Sequence, residues 1–177
     1  LFWRLVLRVT ASRWTAAASA ALWAAVPLST EAVTNIVGRA DLMAATGVLG
    51  ALLTYLRWRD TAREAPMWSG VLSALAIAVL VTLGTLAKES AIAVLGVILA
   101  IEVIWWQGPA AVRRLAVLAA VCLLPLGWWL WQRGVVLGAA VAPEFPFTDN
   151  PIVGAPFWLG RLTAVQVMWR YVALLAW

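Results

Sequence analysis

Apolar residues run in blocks along this chain, and each block is bounded by charge or by proline and glycine. Five blocks stand out: Trp14 to Leu28, Asp41 to Tyr55, Trp68 to Leu86, Ala91 to Trp106 and Leu115 to Trp131. They read as helical spans. Only the third approaches the roughly 20 residues that a helical membrane crossing needs. The first is short and alanine-rich, so tilt, snorkelling arginines or packing in a larger bundle must help the others. Ahead of the first block, LFWRLVLRV reads as the departing end of a helix, and YVALLAW at the far end lies in another apolar stretch. Residues 1–177 are therefore expected to be part of one multi-spanning membrane domain, truncated at both ends.

Composition makes membrane spans of these blocks. The 177 residues are 64% hydrophobic and 12% charged, with mean hydropathy +0.92. A soluble domain is about 45 to 50% apolar and about 25% charged, so this chain has too little polar residue to cover a water-facing surface. Tryptophans gather at block ends (Trp14, Trp68, Trp105, Trp106, Trp128, Trp129, Trp131), where indoles sit at the headgroup level. The expected fold is all-α, a polytopic transmembrane helix bundle of about five spans with interfacial helices.

Charge gives the bundle a direction. If the blocks alternate, Arg4, Arg8, Arg13, Arg57, Arg59, Arg63, Arg113 and Arg114 share one side, against Arg39, Lys88 and Arg133 on the other. The eight-cation side is then cytoplasmic. The opposite face, exterior or lumenal, holds Glu31, Asp41, Glu89, Glu144 and Asp149. A net charge of +5 and a pI near 10.7 reflect this topology. The basic residues lie in short loops beside spans, so no nucleic-acid partner is expected. With no histidine, an imidazole base, a histidine zinc site and a Ser-His-Asp triad are excluded, and no metal is expected. Cys122 sits within an apolar run and suggests neither a disulfide nor a reactive thiol.

Candidate chemistry falls in the outer connections. The stretch from Ser29 to Asp41, STEAVTNIVGRAD, is too polar to cross lipid and too apolar for a free loop. It reads as a short interfacial helix capped by Ser29 or Thr30, with Gly38 turning the chain into the next span. Spacing of four puts Glu31, Asn35 and Arg39 on one face, either as a site or as a surface network that sets the helix angle. Lys88 and Glu89 occupy a tight turn after the third block, a common interfacial stop. The third connection, from Gln132 to Arg161, holds four prolines and the patch Thr148-Asp149-Asn150, and Gly134 and Gly138 form a small-xxx-small spacing. If the blocks pack as one bundle, Glu31, Arg39 and Lys88 should share one outward-facing cavity. Glu102, deep in an apolar run but one turn before Trp106, reads as snorkelling to the cytoplasmic face. A noncatalytic scaffold or a small-solute transporter is the alternative; for a transporter, only Glu102 and Pro125 hint at mid-membrane acids or broken helices.

The block T-E-A-V-T-N-I-V-G-R-A-D from Thr30 to Asp41 resembles the membrane region of the transmembrane O-mannosyltransferases with tetratricopeptide repeats. Lys88-Glu89 after the next outward turn and Asp149-Asn150-Pro151 ahead of an amphipathic stretch match in the same order. These are polytopic glycosyltransferases of the C superfamily (GT-C). The family's block usually has histidines at two positions that are Val26 and Ser29 here. The resemblance implies a sugar, in the first instance mannose, moved from a polyprenyl-phosphate donor to a protein Ser or Thr hydroxyl on the exterior or lumenal face. It implies substrate or phosphate binding by Glu31, Asn35, Arg39, Asp41, Lys88, Glu89 and Asp149, with Arg39 and Lys88 holding phosphate. It also puts the general base in an external loop upstream of Leu1. The implied partners are membrane lipid, the lipid-linked sugar and an acceptor protein. No cofactor is implied, and the location would be a plasma, inner or endoplasmic reticulum membrane.

Overall fold

The computed structural model describes residues 1–26, 32–36, 38–61, 66–139, 152 and 154–176, and among these every regular element is helical. In chain order they are α1 (Phe2–Thr10), α2 (Arg13–Ala25), α3 (Arg39–Thr61), α4 (Met67–Ala87), a 3-10 turn (Glu89–Ile92), α5 (Ala93–Ile104), α6 (Pro109–Ala139) and α7 (Phe157–Ala176). They divide into two units, Leu1–Gly134 and Val135–Trp177.

In the first unit, α1 and α2 form a hairpin. Ala11 takes a left-handed conformation (φ 54°) and donates its N–H to the Leu7 carbonyl, which closes α1. The Ser12 hydroxyl then accepts from the Thr15 N–H at 3.2 Å and caps α2. Helices α3 and α4 pack along a small-residue seam. A Cβ added to Gly47 would lie 2.6 Å from the Leu80 carbonyl oxygen and 3.0 Å from the Gly84 Cα, and one on Gly84 would meet the Ala91 Cβ at 3.1 Å. Such approach lets main chains meet without side chains between them. Gly134 and Gly138, the pair singled out by spacing, meet nothing within 4 Å and lie inside α6. Around the seam a core forms from Tyr55, Trp58, Ile77, Val81, Val94, Ile98 and Leu118.

Gly47→Ala tests the seam. Alanine favours an isolated helix by about 1 kcal/mol over glycine. Here the obstacle is a backbone carbonyl, so the helices must separate, and overpacking of this kind costs typically 1–3 kcal/mol. The expected outcome is a net loss of thermal stability in detergent. An unchanged or raised Tm would mean that α3 and α4 do not touch at this point.

Outward, α4 presents Trp68, Leu72, Leu75, Val79, Leu83 and Leu86 on one exposed face, opposite buried Ala74, Ile77, Ala78 and Val81. An apolar face of this extent suits lipid rather than water. Two helical segments, Trp68–Ala87 and Pro109–Ala139, are long and apolar enough to cross a membrane. Among the described residues, two of the expected five spans meet this criterion, for physical reasons. Helix α3 has 23 residues but carries Arg39 and Asp41 at its start and Arg57, Arg59 and Asp60 at its end. Helix α5 has 12 residues and at 1.5 Å per residue reaches only about 18 Å.

Two outer connections differ from their expected form. Ser29 to Asp41 does not form one interfacial helix: residues 32–34 are helical, Asn35 lies in a bend, and Arg39 opens α3. The Asp41 N–H bonds to the Gly38 carbonyl at 2.9 Å, so Gly38 starts the new helix instead of ending an old one. At the other end, Gln132 to Ala139 continues α6 and Phe157 to Arg161 begins α7. No proline interrupts either piece, and isolated glycines only weaken a helix. In the second unit α7 exposes Trp158, Leu162, Val165, Trp169 and Val172, and Arg161 lies over the Phe157 ring at 5.1 Å.

Candidate functional site

Ion pairs mark two opposite ends of the first unit. At one end Lys88 Nζ donates to Asp41 Oδ1, and Arg133 Nη1 donates to Glu89 Oε2. At the other, Arg8 pairs with Asp60, while Glu102 gathers Tyr55, Arg59 and Arg114. Helix α3 runs from the first end to the second and α4 runs back. Of the cations assigned by spacing to opposite faces, Arg8, Arg59 and Arg114 pair at one end and Lys88 and Arg133 at the other, while Arg63 lies outside the described residues.

The Asp41 end is built around a break. Lys88 is extended (φ −154°, ψ 127°) between α4 and the 3-10 turn, with its N–H still bonded to the Gly84 carbonyl at 2.8 Å. This kink swings the Lys88 side chain toward the first turn of α3, where Asp41 meets it, and places Glu89 toward Arg133 on α6. Arg133 also lies over the Trp129 ring at 5.5 Å. Both pairs are about half exposed, so each contributes at most about 1 kcal/mol to stability; their value is in holding charged groups at one level. Arg39, two residues before Asp41, is exposed and meets no acid among the described residues.

Beside these groups lies a groove of about 420 Å³. Phe2, Trp23, Ala44, Ala45, Val48, Leu49 and Ala91 form its apolar wall, and Asp41 and Ser90 its polar rim. The Phe2 and Trp23 rings meet at a tilt of 49° with centroids 4.5 Å apart, so the α1–α2 hairpin supplies one side and α3 the other. The alanines matter here, because short side chains leave the space open. An apolar trough ending in a carboxylate, a hydroxyl and an ammonium group can take a long hydrocarbon chain with a charged head.

Among the residues marked by the sequence, the structure joins Asp41 to Lys88 and sets Glu89 next to Lys88. It separates Asn35 from Arg39 by the turn at Gly38, so these two do not share a helical face. Glu31 and Asp149 lie outside the described residues. Of the cavity expected for Glu31, Arg39 and Lys88, the described residues show Asp41 lining the groove with Lys88 bonded to it, and Arg39 opening the same helix as Asp41.

Glu102 corrects the sequence reading. It does not snorkel but is fully buried, as is Tyr55. Arg114 grips it with two nitrogens, Nη2 at 2.8 and 3.0 Å and Nε at 3.1 Å, while the Tyr55 hydroxyl donates to Oε1. Arg114 also donates to the Gln107 side-chain oxygen at 3.1 Å. Arg59 approaches the same carboxylate at 3.5 Å, and its Nη2 donates to the Trp105 carbonyl. A signal was present in the sequence: Glu102 and Arg114 stand six residues to either side of Gly108, so a helical hairpin turning there brings them to one depth.

Among known proteins, the chain is similar to protein O-mannosyl-transferase Tmtc2 of Drosophila melanogaster, at 36% identity over 170 residues. The match covers 90% of this chain and 17% of that protein. Protein O-mannosyl-transferase TMTC3 of Homo sapiens is 40% identical over 88 residues, covering 49% of this chain and 9% of that protein. The Mus musculus TMTC3 is 40% identical over 91 residues, 51% of this chain and 9% of that protein. The chain therefore spans less than a fifth of the length of these relatives. No family model matches it, and no solved structure does.

Proposed function

Because the chain is related to the protein O-mannosyl-transferases Tmtc2 and TMTC3 over part of their length, we propose that it forms a multi-span membrane portion of an enzyme that moves mannose from a polyprenyl-phosphate donor to a protein Ser or Thr hydroxyl. The observation that carries this reading is the apolar groove with Asp41 and Ser90 at its polar end and Lys88 bonded to Asp41. In this account the isoprenoid chain lies along Ala44, Val48 and Leu49, and its phosphate meets Lys88 and Arg39. Transfer forms a bond from the acceptor oxygen to the sugar and releases polyprenyl phosphate. The charge developing on that phosphate needs fixed cations, and guanidinium and ammonium groups supply them by charge and hydrogen bonds. Asp41 and Glu89 are each engaged with a cation, so we assign them the task of holding Lys88 and Arg133 in place. Asn35, and Glu31 and Asp149 outside the described residues, are assigned to the sugar or the acceptor.

This reading makes the bundle cross the membrane several times, α2, α3 and α5 serving as spans within a larger assembly, with the Asp41 end exterior or lumenal. Single cysteines in a Cys122→Ala background test the orientation. Asn35→Cys should react with an impermeant external reagent and Trp106→Cys should not; the reverse pattern would overturn it. Position 59 is unsuitable for such labelling, since Arg59 is mostly buried against Glu102. The activity itself is tested by offering membranes that carry the full-length protein a Ser/Thr peptide with mannose on either a polyprenyl phosphate or a nucleotide. Incorporation from the lipid-linked donor alone is expected, and incorporation from the nucleotide alone would reject the donor assignment.

A further inference from the structure

Among the described residues, the Glu102 end holds more positive charge than its acids can neutralise. Inside, one carboxylate serves two guanidinium groups, and Arg59 Nε is buried without a hydrogen bond. A surplus charge close to a low-dielectric interior is costly unless an anion stands near it. Outside, Asp60 is taken by Arg8, and Arg57 and Arg113 are exposed with no acidic partner among the described residues. Trp105 and Trp106 are 51% and 59% exposed beside the turn that follows α5, and the Trp105 carbonyl is tied to Arg59. Cations at one depth flanked by exposed indoles match a membrane surface that carries negative headgroups.

We propose that this end is a docking surface for the headgroup of an anionic phospholipid, with Arg57, Arg59 and Arg113 supplying the charge and Trp105 and Trp106 anchoring at the interface. The headgroup offsets the surplus charge of the Arg59–Glu102–Arg114 cluster from outside. This surface lies at the opposite end of the unit from the groove, and it stands whether or not the groove binds a sugar donor.

The test uses the purified full chain in neutral detergent micelles with phosphatidylglycerol or phosphatidylcholine added at equal mole fraction, bound lipid being counted by native mass spectrometry. Phosphatidylglycerol should be preferred. Each cation near an anionic surface is worth roughly fivefold in partition, so Arg57→Gln with Arg113→Gln should lower that preference roughly 25-fold. The corresponding double lysine variant should keep it, because charge and not guanidinium shape is invoked. Both arginines are exposed, so the fold should survive, and matched thermal unfolding verifies this. Equal binding of the two lipids, or a glutamine variant that keeps the full preference, would overturn the proposal. So would inorganic phosphate displacing the lipid at equal concentration, which would make this a general anion site.

Discussion

Glu102→Ala should lower stability by roughly 3–5 kcal/mol, the usual cost of removing one partner from a buried ion pair. The loss comes from what remains: Arg114, 4% exposed, keeps its charge with only Gln107 to receive it, and the Tyr55 hydroxyl loses its acceptor. Glu102→Gln should cost less, since the amide oxygen still accepts one hydrogen bond. Combining Glu102→Ala with Arg114→Met should recover much of the loss, because the penalty is the orphaned charge and not a missing attraction. Thermal unfolding in detergent reads all three variants. A Glu102→Ala protein as stable as the parent would mean that the carboxylate reaches water, as its distance from Trp106 alone would suggest.

Arg39→Ala should reduce mannose transfer about 100- to 1,000-fold, the typical effect of losing one donor to developing transition-state charge. Arg57→Ala, which removes an exposed arginine from the opposite end of the same helix, should change it less than about fivefold, in keeping with the worth of a surface cation. Arg59 would be a poor comparison, since its removal disturbs the Glu102 cluster. Neither Arg39 nor Arg57 has a described acidic partner, so stability should stay matched between the variants. Equal activity in the two would remove Arg39 from the phosphate site and favour a noncatalytic scaffold.

Helix positions were largely legible from the chain. Trp68 to Leu86 differs from α4 by one residue at each end, because proline stands before it and an extended lysine after it. The separation of Arg8, Arg59 and Arg114 from Lys88 and Arg133 is legible too, since charges next to apolar blocks lie at the ends of helices. Partnerships between ends were not. Lys88 could be placed in a turn, but its reach to Asp41 depends on the extended backbone at residue 88, a tertiary outcome of the Gly84–Ala91 contact. Spacing of four makes Asn35 and Arg39 neighbours only if one helix holds both, and the chain instead bends at Asn35 before Gly38 starts α3. Gly47 and Gly84 carry no spacing signal at all, because they lie on different helices and act by facing each other. The burial of Glu102 is not legible, because an acid one turn from a span end has two physical options, water or an internal cation, and only packing decides between them.

The groove is the centre of the functional account, and a polyprenyl-phosphate analogue with a photoreactive group on its first isoprene unit probes it directly. After irradiation of membranes carrying the full-length protein, the account predicts crosslinked peptides spanning Asp41 to Leu49 and Ser90 to Ala91, with unmodified donor suppressing them. Crosslinks confined to the Glu102 end or to α7, and insensitive to donor, would contradict it.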